Sequence, residues 1–383
     1  MRRNNQGQTA FDLRVIILSH LILAVIIVIF PGRSVSAVEL ISDYTIQIQP
    51  KARILGSMTG NLLVYRRPHI TMYNGHGKQV FSRKLKNNIK PTLSPNGEYL
   101  GLITYADRSP TDLKTVKLEM FDNRGKFKWK LDKPAANAFH ITDHGSFFGI
   151  EGVQGIPPTR VHVYDNYGDR RNILVFKNYQ GLLASPSGAK FIIDQGANGL
   201  IVHDSLGEEM AVLPAAEKFL FDKDERYIGT FSGRIFRLYQ DEKEVVAIRS
   251  DDIQIKAMAL DVAGDLVILM GEKHFGGYGL TTRHLKWDYT LSEKDRFFTS
   301  LDISPDSHRF ACGVDVNLGN SVPKEKRHIE GYIYLFSTNG RNLGRHKEKY
   351  SLWGVGFPKG VFSSSGESLI VQTREKIEKL RLK

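Results

Sequence analysis

The sequence predicts an all-β protein folded as a single β-propeller of four-stranded blades. Three observations support this prediction. A two-part repeat recurs along almost the whole chain, signals for tight turns return every 37 to 59 residues, and no stretch after residue 37 reads as an amphipathic helix. A repeat of about 40–45 residues built only from strands is typical of propeller blades.

The first part of the repeat is a hairpin, in which an alternating strand meets an Asp/Asn-x-x-Gly turn and a second strand. It is plainest in Val116–Trp129 and in Val161–Gly168. The second part is a Ser-Pro-x-Gly turn or a variant of it, as in Ser94–Gly97, Ser185–Gly188 and Ser304–Ser307. A continuously apolar strand follows, which is the pattern of a strand buried on both faces between neighbouring blades.

The number of turns predicts the number of blades. Turns between first and second strands are expected near Gly60, Gly97, Gly145, Gly188, Glu225, Gly264, Ser307 and Gly366. Eight turns predict eight blades. Only two strands follow the last turn, so we expect the N-terminal segment Tyr44–Ile48 to supply the missing strand and close the ring, which removes free sheet edges. The alternative is seven blades, with residues 38–66 as an irregular lead-in.

The N-terminus has the pattern of a targeting segment. Basic residues precede an apolar run from Val15 to Phe30, and Val35-Ser36-Ala37 fits a cleavage site. We therefore expect residues 1–37 to be a signal peptide and residues 38–383 to be the propeller. The alternative is an uncleaved anchor with the body outside the cytoplasm. Either reading predicts an exported protein, periplasmic or secreted, that is membrane-associated only if the segment stays attached.

The composition limits which partners and which kinds of site we expect. The formal net charge is +12, which favours acidic partners. Cys312 is the only cysteine, so an intramolecular disulfide is excluded, and its apolar strand predicts a buried thiol. His140 and His144 have four-residue spacing, but they fall in a predicted turn rather than on a helix, so we expect no metal site. We find no catalytic or cofactor-binding constellation and predict no cofactor.

The repeats resemble those of two propeller families. Phe121–Trp129 and Asn198–Gly207 resemble the repeat of pyrroloquinoline-quinone (PQQ)-type propellers, and the Ser-Pro-x-Gly phrase is similar to that of WD-repeat and TolB-type propellers. The two resemblances cover nearly all of residues 44–383. They imply blade geometry and carry little information on function. The vicinal disulfide usual in quinone dehydrogenases cannot form here.

We expect the binding face where long loops interrupt the repeat. These are predicted at Tyr105–Thr115, Glu151–Thr159, Asp315–Glu330 and Gly344–Gly360. The last two carry most of the candidate binding residues, which are basic or aromatic: Lys324, Lys326, Arg327, His328, Arg345, His346, Lys347, Lys349, Tyr350 and Trp353.

The sequence therefore predicts an exported, non-catalytic binding or scaffold module in the cell envelope. The expected partners are proteins or an anionic envelope polymer, and not nucleic acid, because the chain is exported. We expect a monomer within an assembly. The alternative is a propeller enzyme, a lyase or hydrolase acting on a sugar or peptide in the central channel.

Overall fold

The computed structural model is built from four-stranded antiparallel sheets. It describes residues 40–47, 53–56, 61–66, 68–86, 89–105, 115–134, 136, 138–153, 156–241, 243–291, 296–316, 328–351, 359–363, 365–372 and 376–382. The predicted targeting segment lies outside these residues. The described part contains 32 strands and one short 3₁₀ helix, Gly196–Asn198. None of its helices is long and apolar enough to cross a membrane.

The strands are numbered in chain order and form eight sheets. The first strand, β1, is Leu40–Gln47. Blade 1 contains β2 (Arg53–Gly56), β3 (Leu62–Arg66), β4 (His69–Tyr73) and β5 (Gln79–Lys84). Blade 2 contains β6 (Ile89–Leu93), β7 (Tyr99–Tyr105), β8 (Thr115–Asp122) and β9 (Phe127–Asp132). Blade 3 contains β10 (Ala138–Ile141), β11 (Phe147–Val153), β12 (Ile156–Tyr164) and β13 (Arg170–Phe176). Blade 4 contains β14 (Gly181–Ala184), β15 (Lys190–Asp194), β16 (Leu200–Asp204) and β17 (Glu209–Leu213).

The second half of the ring has the same plan. Blade 5 contains β18 (Lys218–Phe221), β19 (Tyr227–Ser232), β20 (Ile235–Gln240) and β21 (Lys243–Arg249). Blade 6 contains β22 (Ala257–Asp261), β23 (Leu266–Met270), β24 (His274–Gly279) and β25 (Leu285–Thr290). Blade 7 contains β26 (Arg296–Ile303), β27 (Arg309–Val316), β28 (His328–Ser337) and β29 (Asn342–Ser351). Blade 8 contains β30 (Lys359–Phe362), β31 (Ser368–Gln372), β32 (Lys376–Leu382) and, as its outer strand, β1.

The ring closes as the sequence predicts. Strand β1 pairs antiparallel with β32, from Leu40 opposite Leu382 to Gln47 opposite Lys376. The eight-blade prediction is therefore confirmed. The seven-blade alternative is wrong, because β2 and β3 of the first blade lie within the segment that it treated as irregular.

Serine side chains explain why the Ser-Pro-x-Gly phrase makes the turn between first and second strands. The hydroxyl of Ser94 accepts a hydrogen bond from the amide of Tyr99 at 3.0 Å, and Ser304 accepts one from Arg309 at 2.9 Å. In blade 5 the carboxylate of Asp222 replaces the hydroxyl and accepts from the amide of Tyr227. The fourth residue of these turns has positive φ, as at Gly97 (69°). The blade 6 turn differs from the prediction, because its left-handed residue is Asp265 and not Gly264.

The same turns are joined across neighbouring blades. Asp143 accepts a hydrogen bond from the amide of Asn96 at 2.6 Å, which links blades 2 and 3. Glu225 accepts from the amide and the hydroxyl of Ser187, which links blades 4 and 5. Because alternate connections of an antiparallel blade lie at the same end, turns between first and second strands share one face with those between third and outer strands. We call it the turn face and its opposite the loop face.

The core lies between the blades. In the cluster between blades 6 and 7, the Phe310 ring stacks on Trp287 (5.4 Å between centroids) and on Phe336 (5.0 Å), and Phe275 meets both phenylalanines edge to face. Cys312 belongs to this cluster and is buried, as the sequence predicts. Burial of such rings is the main favourable term that holds adjacent blades together.

Tryptophans on two outer strands dock onto the next blade. The indole Nε1 of Trp129 donates to the carbonyl of Asn166, and that of Trp287 donates to the carbonyl of Thr338, both at 2.8 Å. Each ring also lies against the glycine of that turn, Gly168 or Gly340, where a Cβ atom would come within 3.3 or 2.6 Å of the indole. The tryptophan and the glycine of the repeat are therefore two halves of one contact between blades.

Candidate binding surface

The structure corrects two of the four predicted loops. In Glu151–Thr159, β11 continues to Val153, which pairs with Ile156, and Glu151 binds the side chain of His162 across the two strands at 2.9 Å. In Gly344–Gly360, residues up to Ser351 belong to β29. The other two loops begin and end as predicted to within two residues, but their interiors lie outside the described residues.

The candidate residues divide into three groups. Lys324, Lys326, Arg327 and Trp353 lie outside the described residues. For His328, Lys349 and Tyr350 only the strand position is described: His328 begins β28, and Lys349 and Tyr350 lie near the end of β29. The register pairs His328 with Ser351 and Glu330 with Lys349. His328, Lys349 and Tyr350 therefore lie at the loop-face end of the pair formed by β28 and β29. Arg345, His346 and Lys347 follow in the middle of β29.

Arg345 and Lys347 lie on one side of β29 over two tyrosines of β28. The Arg345 guanidinium lies 5.1 Å from the centre of the Tyr332 ring, and the Lys347 ammonium lies 5.9 Å from it. Arg345 also donates to the hydroxyl of Tyr334 at 3.5 Å. Both tyrosines are buried and both cations are exposed. The stems of the basic side chains thus cover the aromatic rings while their charges face solvent.

His346 points to the opposite side of β29, towards blade 8. Its Nε2 lies 3.7 Å from a carboxylate oxygen of Glu378, which also accepts a hydrogen bond from Lys376 at 2.7 Å. Burial raises the pKa of Glu378, but hydrogen bonds from Lys376 and Ser42 and the charges of Lys376 and His346 outweigh it and leave this pKa lowered. His346 therefore belongs to a contact between blades and is separated from Arg345 and Lys347.

The sequence did not identify Tyr332 and Tyr334 as parts of this surface. The signal was present, because a hairpin turn at residues 338–340 sets the register that places Tyr334 opposite Arg345 and Tyr332 opposite Lys347. The surface is thus a basic stripe on the outer strand of blade 7. It leads along β28 and β29 towards the loop face.

Charged side chains also lie on the inner strands of several blades. Lys90, His140 and Lys218 are exposed although they lie on β6, β10 and β18, and Lys218 donates to the carbonyl of Lys256 at 3.1 Å. Asp302 on β26 accepts a hydrogen bond from the amide of Phe362 on β30 at 2.7 Å. Burial raises the pKa of Asp302 to about 6. This carboxyl joins the inner strands of blades 7 and 8, which gives it a structural role.

Metal chemistry finds no support in the described part of the chain, where no group of three or more His, Cys, Asp or Glu side chains could hold an ion. His144 lies in the turn that follows β10, as the sequence predicts, whereas the prediction of a turn is wrong for His140, which lies on β10 itself.

Comparison with known proteins establishes the fold. No protein-family model matches the chain, and no curated protein matches it in sequence. Among solved structures it is similar to the C-terminal WD40 domain of Sif2, with a TM-score of 0.60 and 9% identity over 89% of this chain and 99% of that one. The chain is an eight-bladed β-propeller. It is also similar to Sqt1 from Chaetomium thermophilum (TM-score 0.60, 10% identity, 90% of this chain and 100% of that one).

A third solved structure is BamB from Moraxella catarrhalis, with a TM-score of 0.57 and 11% identity over 90% of this chain and 100% of that one. These likenesses confirm the propeller resemblance that the repeats predict. At this level of identity they establish the fold alone.

Proposed function

We propose that this propeller is an exported, non-catalytic binding or scaffold module of the cell envelope that uses a basic surface at its loop face. The observation that carries the proposal is the stripe of Arg345 and Lys347 on β29. It lies on the strand pair that leads into residues 317–327, where Lys324, Lys326 and Arg327 follow one another closely. Cations beside aromatic rings suit a protein partner or an anionic polymer.

The way the repeat is used supports a non-catalytic role. Its serines, glycines and tryptophans form turns and contacts between blades, so the chemistry left for a partner lies where the repeat is interrupted. Export rests on the pattern of residues 1–37. The mass of the mature chain tests it, since cleavage after Ala37 leaves a chain that begins at Val38.

Charge reversal tests the basic surface. The triple variant Lys324→Glu, Lys326→Glu, Arg327→Glu should lose binding to immobilised dextran sulfate, or to a partner crosslinked in the envelope fraction. The matched control reverses the same number of charges on the outer edge of blade 2 through Lys126→Glu, Lys128→Glu and Lys130→Glu, all exposed. Loss in the first variant alone supports the proposal. Equal loss in both shows a general effect of charge and rejects the assigned surface.

The probe identifies the partner class. Binding of dextran sulfate that disappears in the first triple variant favours an anionic polymer, whereas a stoichiometric crosslinked protein with no polymer binding favours a protein partner. Turnover of a sugar or peptide substrate by the purified chain would overturn the non-catalytic reading.

A further inference from the structure

The docking contact that Trp129 and Trp287 make with the next blade is absent between blades 4 and 5. In blades 1, 2 and 6 the outer strand carries a bulge, and the first paired residue after it is a large aromatic side chain that docks onto the next blade. This residue is Phe81 opposite Met72, Trp129 opposite Met120 and Trp287 opposite Gly277. In blade 4 the residue at this position, opposite Val202, is Ala211. An alanine thus stands where blades 2 and 6 have a tryptophan.

The receiving turn has changed as well. In blade 7 the turn that receives Trp287 has three residues, 338–340, between Ser337 and Arg341, and it ends in Gly340. In blade 5 only residues 241 and 242 lie between Gln240 and Lys243, which pair directly. This turn has no glycine, and Asp241 takes the left-handed conformation with φ 52°. Both halves of the contact are therefore absent at the same place.

An open groove of about 380 Å³ remains there on the turn face. Its floor is apolar and consists of the buried residues Val202, Ala211 and Ile228. The side chain of Met210, at the bulge of β17, lies at the edge and is 38% exposed. A flexible, polarizable thioether beside an apolar floor is well suited to an incoming aromatic ring.

Charges around the groove favour an acidic ligand. Among the described residues, Lys190, Arg226 and Lys243 line it, and Asp241 is the one carboxylate there. Arg226 also forms an ion pair with Asp224 at 3.3 Å, and such an exposed pair contributes little to stability. The groove thus combines an apolar floor with a predominantly basic rim.

We propose that this groove receives an aromatic side chain from an acidic, extended segment of a partner protein. The incoming ring takes the place that Trp129 and Trp287 fill within the chain elsewhere, and carboxylates on either side of it meet Lys190 and Lys243. This site lies on the turn face, opposite the loop face of the proposed function, and does not depend on it. With both sites occupied, the propeller connects two partners.

Fluorescence anisotropy with a defined peptide tests this site. The probe is a fluorescein-labelled nonapeptide with one central tryptophan among aspartates and glutamates, added to the full-length chain in a mild nonionic detergent. We expect saturable binding that weakens as salt is raised. In the variant Ala211→Trp the new side chain fills the groove, as Trp129 and Trp287 fill the equivalent positions of blades 2 and 6. It should weaken peptide binding about tenfold or more, which is typical for the loss of a buried anchor.

The matched control is Asn172→Trp. Asn172 holds the equivalent position in blade 3, opposite Val163, and donates to the carbonyl of Leu206. This variant introduces the same residue at the equivalent position of the neighbouring blade and should leave peptide binding unchanged. If Ala211→Trp fails to fold in a thermal melt, the pair Lys190→Glu and Lys243→Glu tests the same site through its charges. A peptide with alanine in place of tryptophan should bind at least about tenfold more weakly.

Several outcomes would overturn the proposal. They are absence of saturable binding, equal binding by the Ala211→Trp and unmodified chains, and equal binding of the tryptophan and alanine peptides. Binding of anionic lipid vesicles that is lost in Ala211→Trp, without peptide binding, would assign the groove to a membrane surface. A dimer that Ala211→Trp dissociates would assign it to a second copy of the chain. Either result would overturn the proposal that a segment of a partner protein occupies the groove.

Discussion

The contact between Trp287 and Gly340 can be tested quantitatively. Trp287→Ala removes an indole that stacks on Phe310 and donates a hydrogen bond of 2.8 Å to the Thr338 carbonyl. Replacement of a buried aromatic residue by alanine costs about 3–5 kcal/mol of unfolding free energy, and Trp287 is only partly buried. We therefore expect a loss of about 3 kcal/mol.

Gly340→Ala is destabilising for two separate reasons. The residue has φ 86°, which costs a non-glycine residue about 1–2 kcal/mol. The new Cβ would also lie 2.6 Å from two atoms of the Trp287 ring, and such overpacking costs about 1–3 kcal/mol. The expected sum in the unmodified chain is about 3 kcal/mol. Once Trp287 is alanine, only the backbone cost of about 1–2 kcal/mol should remain.

The double-mutant cycle measures the difference between these two costs. The chain with both changes should be more stable than the sum of the single losses implies, by about 1–2 kcal/mol. Urea unfolding of the four proteins, followed by far-UV circular dichroism, gives this coupling energy. Gly233→Ala is the control, because Gly233 has φ 60° but a Cβ there meets nothing closer than 4.0 Å. A coupling below about 0.5 kcal/mol would refute the docking contact.

Three further predictions concern single side chains. Burial raises the pKa of Asp302 to about 6, so ionisation of Asp302 destabilises the fold as pH rises from 4 to 8. Asp302→Asn should therefore raise the free energy of unfolding by roughly 1 kcal/mol at pH 8, after allowance for solvent screening, and leave it unchanged at pH 4. Thermal melts at both pH values measure this difference. An equal effect at both would contradict the assignment. Burial also raises the pKa of the Cys312 thiol. A disulfide reagent should therefore leave the native chain unlabelled and label it fully in urea. Rapid labelling of the native chain would show that the thiol is accessible and would contradict this prediction. Asp143→Ala removes the carboxylate oxygen that accepts the hydrogen bond of the Asn96 amide, and it should lower the free energy of unfolding in urea by about 1–2 kcal/mol. Asp143→Asn keeps an oxygen that can accept this bond and should cost less. Equal losses in the two variants would show that the oxygen does not act as this acceptor.

Most of the fold was predictable because its determinants are local. A serine hydroxyl that binds an amide five residues on, as Ser94 does, needs no information from the rest of the chain. The same is true of a turn glycine such as Gly97, with its positive φ. Closure by β1 followed from counting, because two strands after the last turn leave a four-stranded blade incomplete.

The errors arose where tertiary context decided the structure. The sequence of β29 has no apolar alternation, so it resembled a loop, although its ten residues form the outer strand of blade 7. Its Arg345 and Lys347 are stabilised there by the Tyr332 ring, and His346 by Glu378. Propensity along one strand contains no information about such neighbours.

The groove at Ala211 was hidden for a different reason. An alanine on an outer strand is unremarkable by itself, and its meaning appears only when the bulges of all the outer strands are aligned. In blades 2 and 6 a tryptophan lies above a glycine of the receiving turn, and at blade 4 both residues are absent. Gly340 lies beneath Trp287 and Gly168 beneath Trp129, whereas Ala211 faces a turn with Asp241 in the left-handed conformation. A Cβ atom fits in a turn where no bulky side chain lies above it, and aspartate tolerates this backbone better than most residues. The absence of the tryptophan therefore removes the steric need for the glycine, and the paired change leaves an open groove above an apolar floor.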